Sequence, residues 1–395
     1  MGKIRYRYII VVLCVVCFCR LTLKTYYTFV YGTESTGVAG GGVPSRTNQK
    51  KILMHSENRP ATKRDKCEKK ILFWTKRKHT KFNRSRHVLC LKSSCNATIV
   101  IGMEWTDFLD SHAVIFDHKV VKNWKQLIRR RPRDQIWIFY TRESPVHLSE
   151  RNNFPRGIHE NVHNWTKVYL TGSDLPTIYG RFVRKSNVKD VKMNFRANKT
   201  KLCSWIASNC RYTSWNRSGF VKALQKYMPI DIYGKCGNGE CPGDCLDILP
   251  QYKFYLALES NTCRDYITEK VWRNSFTSDV IPVVYGAPKA DYERILPPNS
   301  FIHVEDFRSF RELARFLRQV GNDDEKYNSY FAWRRDGAIV RQTGSSVFSV
   351  ESICDITQKL VSVEDGVEVK PSIQRNIKDW WEGSCFTVKK KMVYL

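Results

Sequence analysis

The chain has 395 residues, with 66 Lys and Arg against 38 Asp and Glu, and therefore a formal charge of +28. A content of 42% hydrophobic and 13% aromatic residues can build a sizeable core, which excludes an intrinsically disordered chain. The length allows about two domains of ordinary size, and the positive charge favours an anionic partner or substrate.

The N-terminus has the pattern of a targeting segment. Three basic residues among the first seven are followed by an uncharged run, Tyr8 to Cys19, and by a second apolar stretch that ends at Tyr31. A cationic start before an apolar run is typical of a secretory signal or a signal anchor. No small-residue cleavage site follows, so we predict a cytoplasmic tail at 1–7 and an uncleaved anchor at 8–31, with a single membrane span. A cleaved signal peptide is the alternative.

Cysteines and glycosylation sequons favour the same compartment. Three of the 14 cysteines lie in the apolar run, which leaves 11 for the rest of the chain. Scattered cysteines suit an oxidising lumen, and an odd number leaves at least one without an intramolecular partner. Five Asn-x-Ser/Thr sequons occur, at Asn83, Asn96, Asn164, Asn198 and Asn216. We therefore predict a lumenal protein on a membrane tether, for which nucleic acid is not an expected partner.

The remaining chain divides into a stem and two α/β segments. Residues 32–66 are rich in Gly, Ser, Thr and basic residues and are predicted to form a stem. Short apolar and β-branched runs predict buried strands at 71–74, 97–101, 113–116, 135–140, 202–207, 231–233, 252–258 and 280–285. Helices are predicted at 123–131, 217–227, 266–276 and 310–320. This alternation predicts α/β domains at 67–185 and 186–365, followed by a C-terminal tail at 366–395.

Residues 254–272 carry the densest set of chemically active side chains. They read as a buried strand, a polar loop and the start of a helix, with Asp265 as the predicted N-cap. Ligands of open α/β sheets bind beyond the carboxyl ends of the strands, where a helix start and Lys270 attract phosphate. Glu269 is suited to holding sugar hydroxyls. The alternative is an ordinary helix whose first turn is rich in Glu and Lys.

Spaced motifs in the second half of the chain resemble one enzyme family. The block Asp265-Tyr-Ile-Thr-Glu-Lys270, preceded by Phe254-Tyr-Leu-Ala and followed by Ile281-Pro-Val-Val-Tyr-Gly286, closely resembles the hallmark block of the α1,3-fucosyltransferases. Upstream, Ile136-Trp-Ile-Phe-Tyr-Thr-Arg-Glu-Ser-Pro145 is similar to the family's strand before a Glu-Ser-Pro turn. The chain departs from the family at Leu258-Glu-Ser-Asn261, where the family has Phe-Glu-Asn-Ser.

The resemblance implies a fold and a set of site residues. The implied fold is of the GT-B type, with two facing Rossmann-like domains, a cleft between them and GDP-fucose on the C-terminal domain. The implied donor-binding residues are Arg217, Tyr266, Glu269, Lys270, Asn261 and Glu259. Glu143, in the Glu-Ser-Pro turn, is the expected catalytic base. Because a glycan beside Arg217 would obstruct the donor, we expect the Asn216 sequon to be empty and the other four to be glycosylated.

The implied mechanism is a single displacement. The donor GDP-β-L-fucose is β-linked and the product is α-linked, so one inverting step suffices, with a base for the acceptor hydroxyl and cations for departing GDP. No Asp-x-Asp motif appears in the expected context, so we predict that no cofactor and no divalent metal is required. The spacing of Cys236, Cys241 and Cys245 favours a disulfide-tied loop over a zinc site.

The sequence thus predicts a single-pass, type II Golgi membrane protein with a lumenal catalytic domain. It would transfer L-fucose from GDP-fucose in α1,3 linkage to GlcNAc of glycoprotein N-glycans. The alternatives are a transferase that uses another nucleotide sugar, and a basic lumenal protein that binds sulfated glycans. The acceptor remains open between the N-glycan core and an outer antenna.

Overall fold

The computed structural model describes residues 67–76, 84–117, 121, 123–150, 161–185, 193–237, 239–241, 243–342, 346–373 and 377–386. The predicted tail, anchor and stem fall within residues 1–66 and lie outside the described residues. Within the described ranges, no helix combines the length and the apolar character that crossing a bilayer requires.

The first sheet has five parallel strands and one antiparallel edge strand. In chain order its strands are β1 (Glu68–Trp74), β2 (Ser85–Val88), β3 (Asn96–Gly102), β4 (Ala113–Phe116), β5 (Ile136–Tyr140) and β6 (Trp165–Lys167). They are arranged as β2-β3-β1-β4-β5-β6, and β2 is the antiparallel edge. Helices α1 (Trp105–Leu109), α2 (Trp124–Arg130) and α3 (Pro145–Glu150) connect them. The four strands predicted in this region are confirmed.

Both faces of the first sheet are buried, which explains the continuous apolar runs in its strands. Within β1, Leu72 packs on the face that α1 and α2 cover, and Ile71 packs on the other face. A C-terminal helix, α9 (Val350–Glu364), covers that second face with Ile353, Ile356 and Leu360. This helix lies in the range 186–365 that the sequence assigned to the second domain, yet its apolar side completes the core of the first.

The second sheet is entirely parallel. Its strands are β8 (Lys201–Ile206), β9 (Asp231–Tyr233), β10 (Tyr252–Leu258), β11 (Ile281–Tyr285) and β12 (Ile302–His303), in the order β12-β11-β10-β8-β9. Its helices are α4 (Arg217–Gln225), α5 (Cys245–Ile248), α6 (Lys289–Ile295), α7 (Phe310–Asn322) and α8 (Asp324–Ser329). Helices α4 and α7 pack on one face of the sheet. The described chain therefore has a mixed α/β fold with two mainly parallel sheets.

The predicted helix at 266–276 is wrong in its start and in its type. Asp265 has a left-handed backbone, with φ of 57°, and is not an N-cap. Glu269 is the N-cap residue of a π-helical turn at Lys270–Ser275, and a 3₁₀ turn follows at Phe276–Ser278. Because π-helical turns occur frequently at functional sites, the irregular backbone singles out this block.

Two further segments complete the described fold. Strands β7 (Gly180–Arg184) and β13 (Gly337–Arg341) form an antiparallel ribbon. The last described helix, α10 (Ile377–Glu382), places Trp381 against Phe139 and Tyr169 of the first domain and beside Tyr266 of the second. The segment predicted as a C-terminal tail therefore contributes to the packing between the domains.

Five disulfides link ten of the described cysteines. The pairs are Cys67–Cys95, Cys90–Cys354, Cys210–Cys236, Cys241–Cys245 and Cys263–Cys385. Cys203 is free and buried. The pairs at Cys210–Cys236 and Cys241–Cys245 confirm a disulfide-tied loop between β9 and β10, in place of a zinc site.

Candidate active site

A cavity of about 510 Å³ opens where the strands of the second sheet end, facing the first domain. Residues after β8 and β10, the first residue of α4 and the π-helical turn line one side, and residues of the Glu-Ser-Pro turn and α3 line the other. The lining residues are Glu143, His147, Tyr179, Ile206, Ala207, Ser208, Asn209, Arg217, Asp244, Cys245, Leu246, Ser260, Tyr266, Glu269, Lys270, Arg273 and Asn274. Five of the seven residues predicted for catalysis or donor binding therefore share one cavity.

Arg217 is held rigidly at the cavity by backbone carbonyls. It is the first residue of α4, whose N-cap Asn216 accepts a hydrogen bond from the Gly219 N–H. Its guanidinium donates to the carbonyl of Leu258 at 3.0 Å and to that of Asn209 at 2.5 Å. Its Nε–H is buried and has no hydrogen-bond partner among the described residues. Arg217 is thus a fixed cation at the start of a nine-residue helix, and its Nε–H remains available as a donor. Such a group is suited to binding a diphosphate.

Lys270 lies in a network of acidic and hydroxyl groups. Its Nζ donates to Glu259 at 2.8 Å, to Thr268 Oγ1 at 2.8 Å and to Glu269 at 3.3 Å. Burial alone would lower the pKa of Lys270, but the two carboxylates outweigh it and hold that pKa above its usual value. Burial also opposes ionisation of Glu269, yet Lys270 keeps the pKa of that carboxyl below its usual range. Lys270 is therefore a cation at neutral pH.

Glu259 supports Lys270 from behind the cavity wall. It is fully buried and does not line the cavity, and its carboxylate accepts from the Thr268 N–H at 2.8 Å as well as from Lys270. Burial raises the pKa of Glu259, while Lys270 and the Thr268 N–H favour the carboxylate. With these donors in place, we assign the pair as ionised. Glu259 therefore forms an ion pair that holds Lys270 in position, and its predicted contact with the donor stays a prediction.

Asn261 connects the two domains and makes no part of the cavity wall. Its Nδ2 donates to Ser144 Oγ at 2.6 Å, and its Oδ1 accepts from the Ser214 N–H at 3.0 Å. Asn261 and Ser144 are both fully buried. The predicted contact of Asn261 with the donor stays a prediction. Its neighbour Ser260 lines the cavity, so the local order Ser-Asn decides which side chain faces the site.

Glu143 reaches the cavity from the first domain. Its N–H donates to Thr141 Oγ1 at 3.0 Å, which fixes the turn after β5. Its carboxylate is about half exposed, and His147 Nε2 lies 3.8 Å from it, one helical turn further on. Glu143 therefore presents a solvent-accessible carboxylate to the cavity that Arg217 and Lys270 also line.

Tyr266 is almost completely buried at the joint between the domains. Its ring packs against that of Tyr169, with 4.7 Å between the centroids. Burial raises the pKa of Tyr266 well above its usual value, so the hydroxyl stays protonated. It supplies a neutral hydrogen-bonding group at the edge of the cavity.

Several lining residues were missed by the sequence reasoning. His147 follows Glu143 at helical spacing, and this spacing is a signal that could have identified it. Asp244 and Arg273 pair at 3.3 Å at the rim of the cavity, although 28 residues separate them in the sequence. No local pattern predicts such a pair.

The predicted glycosylation sites differ in accessibility. Asn198 is exposed, and Asn83 lies outside the described residues. Asn96 is buried and accepts from the Cys90 N–H. Asn164 is buried too, and its Nδ2 donates to the Pro371 carbonyl at 3.2 Å. An N-linked glycan is attached to Nδ2, so it would compete with the Asn164 contact but not with the Oδ1 contact of Asn96. Glycosylation of the four sequons stays a prediction.

A polar cavity with fixed cations, at the carboxyl ends of parallel strands, is the ligand site of nucleotide-binding α/β proteins. Comparison with models of known protein families identifies the family within this class. The model for glycosyltransferase family 10 (fucosyltransferase), C-terminal part, matches residues 196–380, and the model for the fucosyltransferase N-terminal part matches residues 66–180. The chain belongs to this fucosyltransferase family.

Curated relatives agree with the family models. The chain is 36% identical over 264 residues to glycoprotein 3-alpha-L-fucosyltransferase A of Drosophila melanogaster, a match that spans 64% of this chain and 49% of the relative. It is 36% identical over 270 residues to a 4-galactosyl-N-acetylglucosaminide 3-alpha-L-fucosyltransferase of Gorilla gorilla gorilla, spanning 67% of this chain and 72% of the relative. The human protein of the same name is 38% identical over 226 residues, which span 56% of this chain and 61% of that protein.

One solved structure, a crystal structure of α1,3-fucosyltransferase with GDP-fucose, aligns with a TM-score of 0.49 and 18% identity. The alignment covers 75% of this chain and 91% of that chain.

Proposed function

We propose that this protein transfers L-fucose from GDP-β-L-fucose to O3 of GlcNAc in glycoprotein N-glycans. The observation that carries the proposal is the convergence of Glu143, Arg217, Tyr266, Glu269 and Lys270 on one cavity. The cations lie on the second domain and the accessible carboxylate on the first, as donor and acceptor sides require. The names of the relatives, which include a glycoprotein fucosyltransferase, support the same reaction and acceptor.

In the proposed reaction, Glu143 accepts the proton of the acceptor O3 hydroxyl as that oxygen bonds to C1 of fucose. The bond between C1 and the β-phosphate oxygen breaks on the opposite side, and its electron pair leaves with GDP. Arg217 and Lys270 stabilise the charge that develops on the diphosphate, because both are fixed before the reaction. Inversion converts the β-linked donor into an α-linked product.

Transfer assays test the activity directly. Purified full-length protein would be incubated with GDP-fucose, GDP-mannose or UDP-sugars, and with defined N-glycans that offer either a core or an antennal GlcNAc. We expect mass spectrometry to find one added fucose with GDP-fucose alone. Turnover only with another nucleotide sugar would contradict the proposal, and so would binding of sulfated glycans without any binding of GDP-fucose.

Loss of Arg217 is expected to weaken donor binding. Arg217→Ala removes a charge-assisted contact worth about 1.5–3 kcal/mol, so GDP affinity should fall about 10- to 100-fold in calorimetry. Arg273→Ala is the matched control, because Arg273 also lines the cavity but is half-exposed and pairs with Asp244. Its effect should stay below about 1 kcal/mol. Unchanged GDP affinity in folded Arg217→Ala would exclude the assigned role.

We further propose that no divalent metal is required, since fixed cations serve the leaving group. Transfer by the wild-type enzyme should therefore continue in excess EDTA at a rate close to that of the untreated enzyme. The measurement is the initial rate with and without chelator, followed by addition of Mg²⁺ or Mn²⁺. Loss of activity that only added metal restores would refute this prediction.

The proposed location is the Golgi membrane, with one span near residues 8–31 and the catalytic domains in the lumen. The five disulfides support an oxidising compartment. N-terminal sequencing of protein secreted from intact cells provides the test. Secreted protein that begins after residue 31 would identify a cleaved signal peptide in place of an anchor.

A further inference from the structure

Helix α7 presents a row of arginines to solvent. Arg311, Arg315 and Arg318 are exposed and follow one another at intervals of four and three residues, which places them on one side of the helix. The opposite side of α7, which includes Leu313 and Leu317, is buried against the second sheet. The arginines therefore stand on a rigid element whose orientation the core fixes.

Residues of α4 extend this row across the neighbouring helix. The two helices are in contact through Phe220 and Phe310, whose ring centroids are 5.2 Å apart. Arg318 donates to the carbonyl of Tyr227 at 2.5 Å, and the guanidinium of Arg311 lies 5.8 Å from the centroid of the Tyr227 ring. We call the five exposed cations on and directly after α4 and on α7 the α4–α7 basic surface: Lys222, Lys226, Arg311, Arg315 and Arg318.

No carboxylate of the described residues forms a salt bridge with the five cations of this surface. By contrast, Lys289 of α6 pairs with Asp306, and Lys326 of α8 pairs with Asp323. The acidic residue in the first turn of α7, Glu312, is occupied as an acceptor of the Arg308 N–H at 2.8 Å. Five unpaired cations on adjacent helices produce a local positive potential that attracts a multivalent anion.

We propose that the α4–α7 basic surface binds a linear sulfated polysaccharide. Arg311 and Arg318 are separated by seven residues, or about 10 Å along the helix axis, so the row suits a partner with successive charges. Arginine presents a planar fork that bonds oxyanions in a bidentate manner. Tyr227 is the sole large hydrophobic side chain exposed at this surface within the described chain, which disfavours a lipid bilayer as the partner.

The surface is separate from the catalytic cavity. Helix α4 begins at Arg217 in the cavity wall, and Lys226 lies nine residues, or about 13 Å, further along the same direction. A bound polysaccharide would therefore leave the cavity open, and would hold the protein beside sulfated glycoconjugates while transfer continues. The inference does not depend on the proposed reaction.

Heparin is the probe, and full-length protein is titrated with it at several NaCl concentrations. The triple variant Arg311→Gln/Arg315→Gln/Arg318→Gln removes the row. Its matched control, Lys125→Gln/Arg129→Gln/Arg133→Gln, removes three exposed cations in and beside α2 of the first domain. We expect the first variant to bind on the order of 10- to 100-fold more weakly, and the slope of log K against log salt to fall by about two to three, as for other polyanions. The control should change affinity less than about two-fold.

Three results would overturn the proposal: equal losses in both triple variants, unchanged heparin affinity in the α7 variant, or binding of fully desulfated heparin as tight as that of heparin. Vesicles of phosphatidylserine and phosphatidylcholine form a separate arm. If the α7 variant loses vesicle binding and retains heparin binding, the partner is a membrane and the proposal is wrong. Thermal unfolding and GDP titration, both expected to be unchanged, verify that each variant is folded.

Discussion

Glu143→Gln should lower the rate of fucose transfer by about 10²–10⁴-fold, the usual effect of removing a general base. Gln keeps the size of the side chain and its hydrogen-bonding capacity but cannot accept the proton of the acceptor hydroxyl. Because Glu143 follows a strand of the first sheet, whereas Arg217 and Lys270 follow strands of the second, GDP affinity should hardly change. Steady-state rates at saturating acceptor, combined with calorimetry of GDP binding, test both parts.

Glu269→Gln is the comparison for this variant. Glu269 lines the same cavity from the donor side and lies 3.3 Å from Lys270, so its loss should weaken donor binding before it affects the chemical step. If folded Glu143→Gln keeps near-normal turnover while Glu269→Gln loses it, the base is Glu269.

The strands were predictable from the sequence because a parallel sheet covered on both faces requires continuous apolar runs. Runs such as Tyr252–Leu258 and Ile281–Tyr285 have no other common interpretation at that length. The grouping of Arg217 with Lys270 was implied by the family resemblance, and the parallel sheet explains it. In a parallel sheet, residues that follow different strands meet at one edge, whatever their separation along the chain.

Contacts between residues that are far apart in the sequence could not be predicted from local patterns. Asp265 precedes a helix and is a preferred N-cap residue, but tertiary contacts hold it otherwise: its carboxylate accepts from the Thr171 N–H of the first domain at 2.9 Å and pairs with Arg294. Helix α9 is amphipathic on its own, and nothing in its sequence states which sheet its apolar side covers. Cys90 and Cys354 bond across 264 residues, a pairing that local spacing does not encode.

Two residues predicted to bind the donor are buried behind the cavity wall. Glu259 and Asn261 are adjacent in sequence to residues that line the cavity, and alternation along an extended chain sends neighbouring side chains to opposite sides. Both side chains are completely buried, so they act on the site through Lys270 and Ser144. Sequence motifs locate such residues near a site, but they do not show whether a residue contacts the ligand or holds another residue in position.

The second large effect is expected from replacing Glu259, the buried counterion of Lys270. Glu259→Gln removes the buried counterion of Lys270, and breaking such a pair from one side costs about 3–5 kcal/mol in the free energy of unfolding. We expect the lower end of this range, because Glu269 remains close to the Lys270 ammonium. GDP affinity should fall too, since Lys270 would no longer be held at the cavity wall. Denaturant unfolding and calorimetry measure the two effects, and Glu269→Gln, whose side chain is half-exposed, should cost less than about 1 kcal/mol of stability.

The double variant Glu259→Gln/Lys270→Met distinguishes the contribution of the ion pair to stability from the contribution of Lys270 to GDP affinity. Replacing both charges leaves no uncompensated ion in the interior, so most of the lost stability should return, as observed when buried pairs are replaced by uncharged groups. GDP affinity should remain low, because the cation that contacts the diphosphate is absent. A double variant as unstable as Glu259→Gln would mean that the bonds from Thr268 to Glu259, and not the ion pair, hold this region together. Recovery of GDP affinity together with stability would instead exclude Lys270 from the donor site, because a methionine cannot replace a charge-assisted contact.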